Sequence, residues 1–508
     1  MKLAKAMATV AGLTGLSRLF GFIRDILTAA VLGAGPIADA FFVALKLPNL
    51  FRRITAEGAF SVAFVPLYSE AVEKDGRAAA DEFASNAIMV MLSILSVVVL
   101  VGLMVMPYVI AAIAPGFSGD AVRFDTAVEL SRVTFPYLLL MSLTALLGGV
   151  LNALNRFAPF AFAPVLFNVC LIAALLLSGY AQSAGHALAW GVLAAGVAQL
   201  VWLIVAARRA GVHLRFRRPR MSGDIKKVFR LMGPGVVGAG VMHINLFADM
   251  MIASFLGAGS ISYLYYADRL NQLPLGIVGI AVGTALLPML SKAVAGADKG
   301  KASDLFNRAM EYCFLLALPA ALALGVFAEL IVSVLFERGA FEAADTRMTS
   351  MVLMAYVLGL PAFIAIKVFS TVHWAHQDTK TPVKIAVIVT VVNIVMSLVL
   401  IQFVGVAGIA LATGLTGWLS FGLHMRALKG RDGFGFDARF KAAFVKIVAA
   451  SLGMVGVCYG VYGALGGVVA EWFVLAIVVA SGGAVYGISV VVMGVVKPRD
   501  LMHGLSKT

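Results

Sequence analysis

Long apolar stretches alternate with short polar ones along the whole chain, and the apolar stretches are of membrane-crossing length. A bilayer core about 30 Å thick requires about 20 helical residues. Fourteen stretches qualify as candidate spans: 6–32, 37–69, 84–113, 126–150, 158–180, 186–207, 226–256, 260–291, 305–333, 347–372, 382–403, 405–427, 441–466 and 471–496. Several exceed the minimum length, which predicts tilt, kinks or protruding ends. Interruptions within spans 2 and 8 mark these two as candidates for broken helices. The expected fold is an all-α integral membrane protein.

The first two spans break the apolar pattern. Residues 14–57 carry Arg18, Arg24, Asp25, Asp39, Lys46, Arg52, Arg53 and Glu57 within otherwise apolar sequence. A lipid-facing charge near mid-bilayer costs roughly 2.5–3.5 kcal/mol on insertion scales. Arg18, Arg24 and Asp25 together would cost about 9 kcal/mol, against about 5 recovered by ten apolar residues. These charges are therefore expected to line a water-filled space between helices. Thr14, Ser17, Arg18, Gly21, Asp25 and Thr28 share one helical face, with Arg24 at its edge. Asp39, Lys46, Asn49, Arg53 and Glu57 form a similar stripe in span 2, with Arg52 beside it. The alternative is private pairing, Arg24 with its neighbours and Arg53 with Glu57 one turn away. With five bases to three acids in this stretch, pairing alone does not absorb every cation.

Composition agrees with a polytopic membrane protein. Of 508 residues only 13% are charged, against about 25% in soluble chains, and the mean hydropathy is +0.97. The net charge of +14 sits mostly in short loops. This favours positive-inside topology and anionic headgroups over nucleic acid as its meaning. Cys170, Cys313 and Cys458 lie in apolar runs without paired spacing, as expected of small core residues. Lys2 and Lys5 precede no small-residue cleavage site, which predicts an uncleaved first helix.

Loop charge orients the chain. Nine bases between Arg208 and Arg230, five between Arg426 and Lys441, and three in the tail alternate with loops that carry few beyond Arg123, Arg338 and Arg347. Both termini are expected in the cytoplasm. An internal repeat runs at an offset near 223 residues. Leu32-Gly33-Ala34-Gly35 recurs as Leu256-Gly257-Ala258-Gly259, Phe41-Phe42 as Tyr265-Tyr266, Lys46-Leu47 as Arg269-Leu270, and Pro66-Leu67-Tyr68-Ser69 as Pro288-Met289-Leu290-Ser291. The expected organisation is an N-lobe at 1–210 (spans 1–6), a basic linker at 211–223, and a C-lobe at 224–430 (spans 7–12). A parallel pseudo-two-fold relates the lobes. Residues 431–508 add spans 13 and 14, which would form an apolar lipid-tail groove, and the tail.

The repeat places Arg269 and Asp268 opposite the basic face of span 2. A cavity of Arg18, Arg24, Lys46, Arg52, Arg53 and Arg269 against Asp25, Asp39, Glu57 and Asp268 is net basic. Guanidinium forks in such a cavity suit a phosphate or pyrophosphate group. A structural ion-pair network is the competing reading. His373, His376 and Asp378 are read as interfacial polar residues rather than a metal cluster. No nucleotide P-loop, no G-x-S-x-G and no H-E-x-x-H motif is present, so energy would come from an ion gradient, the membrane potential or the substrate gradient.

The string from Arg53 through Ala56-Glu57-Gly58-Ala59-Phe60 to Pro66 resembles the MurJ/MviN family of bacterial lipid II flippases. Ser17-Arg18 through Arg24-Asp25 and Tyr266-Ala267-Asp268-Arg269 add to the likeness, which covers nearly the whole chain. That family belongs to the multidrug/oligosaccharidyl-lipid/polysaccharide exporter superfamily. The resemblance implies a fourteen-helix, two-lobed transporter of the cytoplasmic membrane, not an enzyme. It also implies substrate-binding roles for Arg18, Arg24, Arg52 and Arg269, with Asp25, Asp39 and Glu57 as acidic partners, and places Ser17, Lys46 and Asn49 in the same strings. Gln272 stands where some members have glutamate. Some members bind sodium near spans 7 and 11; Asp249 and Asp378 match that site, but Trp374 and Ile394 are poor donors there. No cofactor is expected beyond such a coupling ion. Expected partners are the lipid substrate, membrane lipids and cell-wall synthesis proteins. A flippase for another polyprenyl-linked glycan and a cation-coupled drug exporter are the transporter rivals; cationic drugs would favour an acidic cavity. A membrane-embedded glycosyltransferase or phosphatase would require a polar catalytic loop, which the short loops here lack.

Overall fold

The computed structural model describes residues 2–51, 61–215, 218–296, 298–429 and 434–496, and no β-strand occurs among them. The helices of the first half are α1 (Lys2–Leu32), α2 (Pro36–Phe51), α3 (Ser61–Lys74), α4 (Gly76–Met104), α5 (Met106–Ile113), α6 (Ala121–Thr134), α7 (Tyr137–Ala153), α8 (Ala158–Leu176) and α9 (Ala184–Arg209). The second half holds α10 (Gly223–Ser254), α11 (Ser260–Ala295), α12 (Lys299–Val326), α13 (Ala328–Phe336), α14 (Ala343–Val357), α15 (Leu360–Ala375), α16 (Lys380–Val404) and α17 (Ala407–Leu428). α18 (Ala438–Leu465) and α19 (Glu471–Val492) complete the order. Nine stretches among the described residues are long and apolar enough to cross a bilayer.

The repeat extends from sequence to element order. Pro36 and Ser260, which open α2 and α11, lie 224 residues apart; Gly76 and Lys299, which open α4 and α12, lie 223 apart; Ala121 and Ala343, which open α6 and α14, lie 222 apart. Packing repeats too. The pairs α8–α9, α7–α9, α4–α7, α6–α9 and α5–α6 recur as α16–α17, α15–α17, α12–α15, α14–α17 and α13–α14. α1 and α10 differ: α1 packs on α8, whereas α10 packs on α3.

The interruption expected in span 8 is absent. α11 runs unbroken through Pro274 and Pro288. Within a membrane helix neighbouring groups re-satisfy the backbone that a proline frees, so a proline need not end it. The interruption expected in span 2 lies at residues 52–60, between α2 and α3, outside the described residues. The clear breaks come at Val105, Phe135–Pro136, Phe327 and Leu358–Gly359. Pro107, Pro136 and Pro361 sit at three of them, each lacking the N–H that would continue the preceding helix.

By compactness the chain forms two units, Met1–Ser262 with Arg338–Phe341, and Tyr263–Glu337 with Glu342–Thr508. The first unit has a core of Phe64, Tyr68, Leu146, Leu147, Val150 and Leu203. Asp81 of α4, 4% exposed, accepts bonds from the Tyr68 hydroxyl (3.1 Å) and the His213 backbone N–H (2.9 Å). Ser85 accepts from the Arg215 N–H (3.0 Å), and Asn86 exchanges bonds with the Arg220 backbone. One face of α4 thus holds the linker by its backbone and leaves Arg215, Arg218 and Arg220 exposed. The 338–341 segment docks on the end of α1, where Ala340 N–H donates to Ala30 C=O at 2.8 Å. Gly339 makes this approach possible: its φ is +61°, and a Cβ there would overlap the Ala30 carbonyl oxygen.

In the second unit, Phe306, Phe314, Phe369, Phe421, Phe436 and Phe440 form a continuous aromatic stack. The segment leading into α18 is tied to α12. Asn307 donates to Gly435 C=O at 2.9 Å and accepts from Asp437 N–H at 3.0 Å, while Arg308 pairs with Asp437 and Glu311.

Candidate functional site

The α1 charges are where the site can be built from atoms. Arg24 and Asp25 are both buried, 8% and 5% exposed. Adjacent residues point about 100° apart on a helix, so the long arginine chain must fold back for them to meet. It does: Arg24 Nη2 lies 2.7 Å and Nε 3.2 Å from Asp25 Oδ1. The other side of the guanidinium meets α8, where Nη1 donates to Asn168 Oδ1 at 2.8 Å. Asn168 Nδ2 in turn donates to the Ser17 carbonyl at 2.9 Å. The Phe167 ring lies 5.8 Å from the guanidinium carbon, and the Thr28 hydroxyl donates to the Arg24 carbonyl at 2.8 Å. Ser17 is half-buried and Arg18 exposed. The pairing that competes with substrate binding therefore exists for Arg24 and Asp25. It leaves a planar cation fixed at depth, a donor set suited to an oxyanion.

The α2 residues divide. Lys46 is half-buried, and half-buried Asn49 donates to Leu45 C=O at 2.9 Å. Asp39 is fully buried and turned to a different task. Its carboxylate accepts from Gly259 N–H (2.8 Å), Ser262 N–H (2.9 Å) and Ser262 Oγ (2.7 Å), at the first turn of α11. An anion at a helix N-terminus satisfies donors that have no partner within the helix. Arg52, Arg53 and Glu57 lie outside the described residues.

Arg269 belongs to the second unit. Its guanidinium lies 4.7 Å from the Tyr265 ring centroid, and Nη2 donates to the Tyr265 hydroxyl at 3.2 Å. Asp268 accepts from Gln272. Asp249, on α10, lies 3.4 Å from Asn245 Nδ2. Asp378 lies in the turn before α16, where it accepts from Thr381 N–H at 3.0 Å and faces His373 Nδ1 at 3.5 Å. Trp374 and Ile394 carry no side-chain oxygen to donate to a cation. No group of three or more His, Cys, Asp or Glu side chains among the described residues could hold a metal.

Two polar residues escaped the sequence pattern. Asn168 is the one amide in α8, a signal that an apolar span alone does not explain. His424 of α17 is buried against His373, ring centroids 5.3 Å apart, with Phe369 stacked on it. His373 is fully buried, with its ring against that of His424.

The model of the family described as lipid II flippase MurJ matches residues 28–480. This chain belongs to that family. A probable lipid II flippase MurJ of Rhizobium meliloti (strain 1021) is 43% identical, over 90% of this chain and 86% of the relative. The lipid II flippase MurJ of Burkholderia cenocepacia is 37% identical, over 90% of each. A solved lipid II flippase MurJ in an inward closed conformation is 28% identical, with a TM-score of 0.81 over 97% of this chain and 99% of that one. An inward-facing multidrug resistance MATE family transporter, 14% identical over 84% of this chain and 98% of that one, shares the fold with a TM-score of 0.70. Family membership makes the chain a multi-span transporter by descent, and the Arg24–Asp25–Asn168 arrangement joins α1 to α8.

Proposed function

We propose that this chain is a flippase that moves lipid II, the undecaprenyl-pyrophosphate-linked peptidoglycan precursor, from the cytoplasmic to the periplasmic leaflet of a bacterial inner membrane. The observation that carries the proposal is the family match over residues 28–480. The buried guanidinium of Arg24 supports it, since a fixed planar cation suits a pyrophosphate. Arg18, Arg52 and Arg269 are the further cations of the substrate site, with Ser17, Asp25, Lys46, Asn49 and Glu57 around them. Asp39 acts by holding the start of α11.

The architecture proposed is fourteen spans: two six-helix lobes related by a parallel pseudo-two-fold, and α18–α19 as the flank that takes the lipid tail. Alternating access between the lobes carries the headgroup across, driven by the membrane potential or an ion gradient. Both termini face the cytoplasm. The deciding experiment depletes the protein and identifies which lipid-linked precursor accumulates. Accumulated lipid II, chemically unaltered by the purified protein, is the expected result. Accumulation of another polyprenyl-linked glycan, or covalent change in a labelled lipid, would replace the reading.

A further inference from the structure

We infer that Asn168 of α8 is a positioning residue for substrate binding: it orients the Arg24 guanidinium without cancelling its charge. The inference rests on the proposed role of Arg24 toward pyrophosphate.

The carboxamide is used at both ends. Oδ1 accepts from Arg24 Nη1 at 2.8 Å, and Nδ2 donates to the Ser17 carbonyl at 2.9 Å. The two contacts fix the amide orientation, because the reverse would set Nδ2 against a guanidinium donor and Oδ1 against a carbonyl. Ser17 and Arg24 lie seven residues apart, two turns along one side of α1. A helical side chain leans toward its own N-terminus, which brings the guanidinium back over the turn that Ser17 begins. Gly21 lies between them, and a Cβ there would make an ordinary contact with Asn168 Nδ2 at 3.5 Å, so α8 packs closely on this side of α1. Asn168 is itself 6% exposed, so its amide is committed to these partners rather than to bulk water.

The choice of amide over carboxylate carries the functional content. Asp25 already supplies one negative charge to Arg24. A second carboxylate would hold the guanidinium as well or better but make the cluster around Arg24 net negative, which weakens its attraction for a pyrophosphate. An aliphatic residue would leave the charge but release Arg24 from one side, and a flexible arginine must be ordered when substrate binds. Asparagine holds without neutralising.

The test titrates labelled lipid II into the full-length protein in lipid nanodiscs, with thermal stability measured in parallel. Asn168→Leu should weaken binding about tenfold or more, the usual worth of a hydrogen bond to a charged group. Asn168→Asp loses the donor to the Ser17 carbonyl and should lower thermal stability as well as affinity, so its loss of binding is read against the Arg24→Ala background, where a packing role predicts a further loss. Combined with Arg24→Ala, neither change should weaken binding further. Parent-like binding by both Asn168 variants, additive losses, or failure of both to fold would each overturn the positioning role. Normal binding by Arg24→Ala alone would instead remove the reading of Arg24 on which the inference stands, a distinguishable failure.

Discussion

Arg24 shows how a charge can be buried among helices in a largely apolar chain. Its neighbour Asp25 balances it, Asn168 holds the other edge, and neither partner is visible as such in a helical wheel. A lysine keeps the charge but replaces a rigid fork with one compact ammonium group. Arg24→Lys should therefore bind lipid II about tenfold more weakly or worse, measured at matched membrane abundance; parent-like affinity would show that point charge suffices. Asp39 poses the opposite case, a carboxylate spent on backbone. Asp39→Asn turns an amide donor toward N–H groups that require an acceptor. It should lower unfolding stability by about 1.5–3 kcal/mol, read from thermal melting in detergent. An unchanged melt would mean that these donors find other partners.

At the scale of elements, caps and docking contacts decide where helices start and how linkers lie. Asp120 caps α6 by accepting from Arg123 N–H at 3.2 Å and pairs with the Arg123 side chain at 2.9 Å. Those contacts, the backbone bond first, hold its carboxyl below the usual carboxylate range. A depressed folded value means that the cap's stabilisation is complete above the unfolded carboxylate's titration and disappears as pH falls through the lower folded one. Asp120→Ala should cost about 0.5–2 kcal/mol at neutral pH. The gap between variant and parent should close under strongly acidic conditions, and a gap independent of pH would assign the loss to packing. The linker offers a second element-scale test. With Asp81→Ala the His213 N–H and the Tyr68 hydroxyl lose their shared acceptor. Trypsin should then cleave faster at Arg215, Arg218 and Arg220, and an unchanged digestion rate would show that Ser85 and Asn86 hold the linker without it.

Over the whole molecule, the excess of bases in alternate loops predicts an orientation that can be tested. Arg218, exposed in the linker, is a suitable topology probe. In a background without the native cysteines, Arg218→Cys should resist an impermeant thiol reagent in intact cells and react after permeabilisation. Labelling in intact cells would reverse the orientation. α18 and α19 pack on α12 and α13 and on each other, with Met454, Val474 and Val478 against Phe327 and Leu330. A chain ending at Lys429 should lose lipid II binding while retaining helical content; undiminished binding would remove α18–α19 from the substrate path.

The chain by itself determined the properties that local composition sets: apolar runs of spanning length, excess bases in alternate loops, a concentration of charge in the first two spans, and a repeat recognisable from Leu32-Gly33-Ala34-Gly35 onward. Each is written in neighbouring residues, and solvation acts on each run directly. Only tertiary structure decided the partners. Helical periodicity puts Arg24 and Asp39 among similar stripes, yet one meets Asn168, distant in sequence, and the other caps α11. The same holds for the breaks at Val105 and Leu358–Gly359, and for the continuity of α11 across Pro274. Whether a proline ends a membrane helix depends on which neighbours satisfy its freed backbone, and packing alone supplies them.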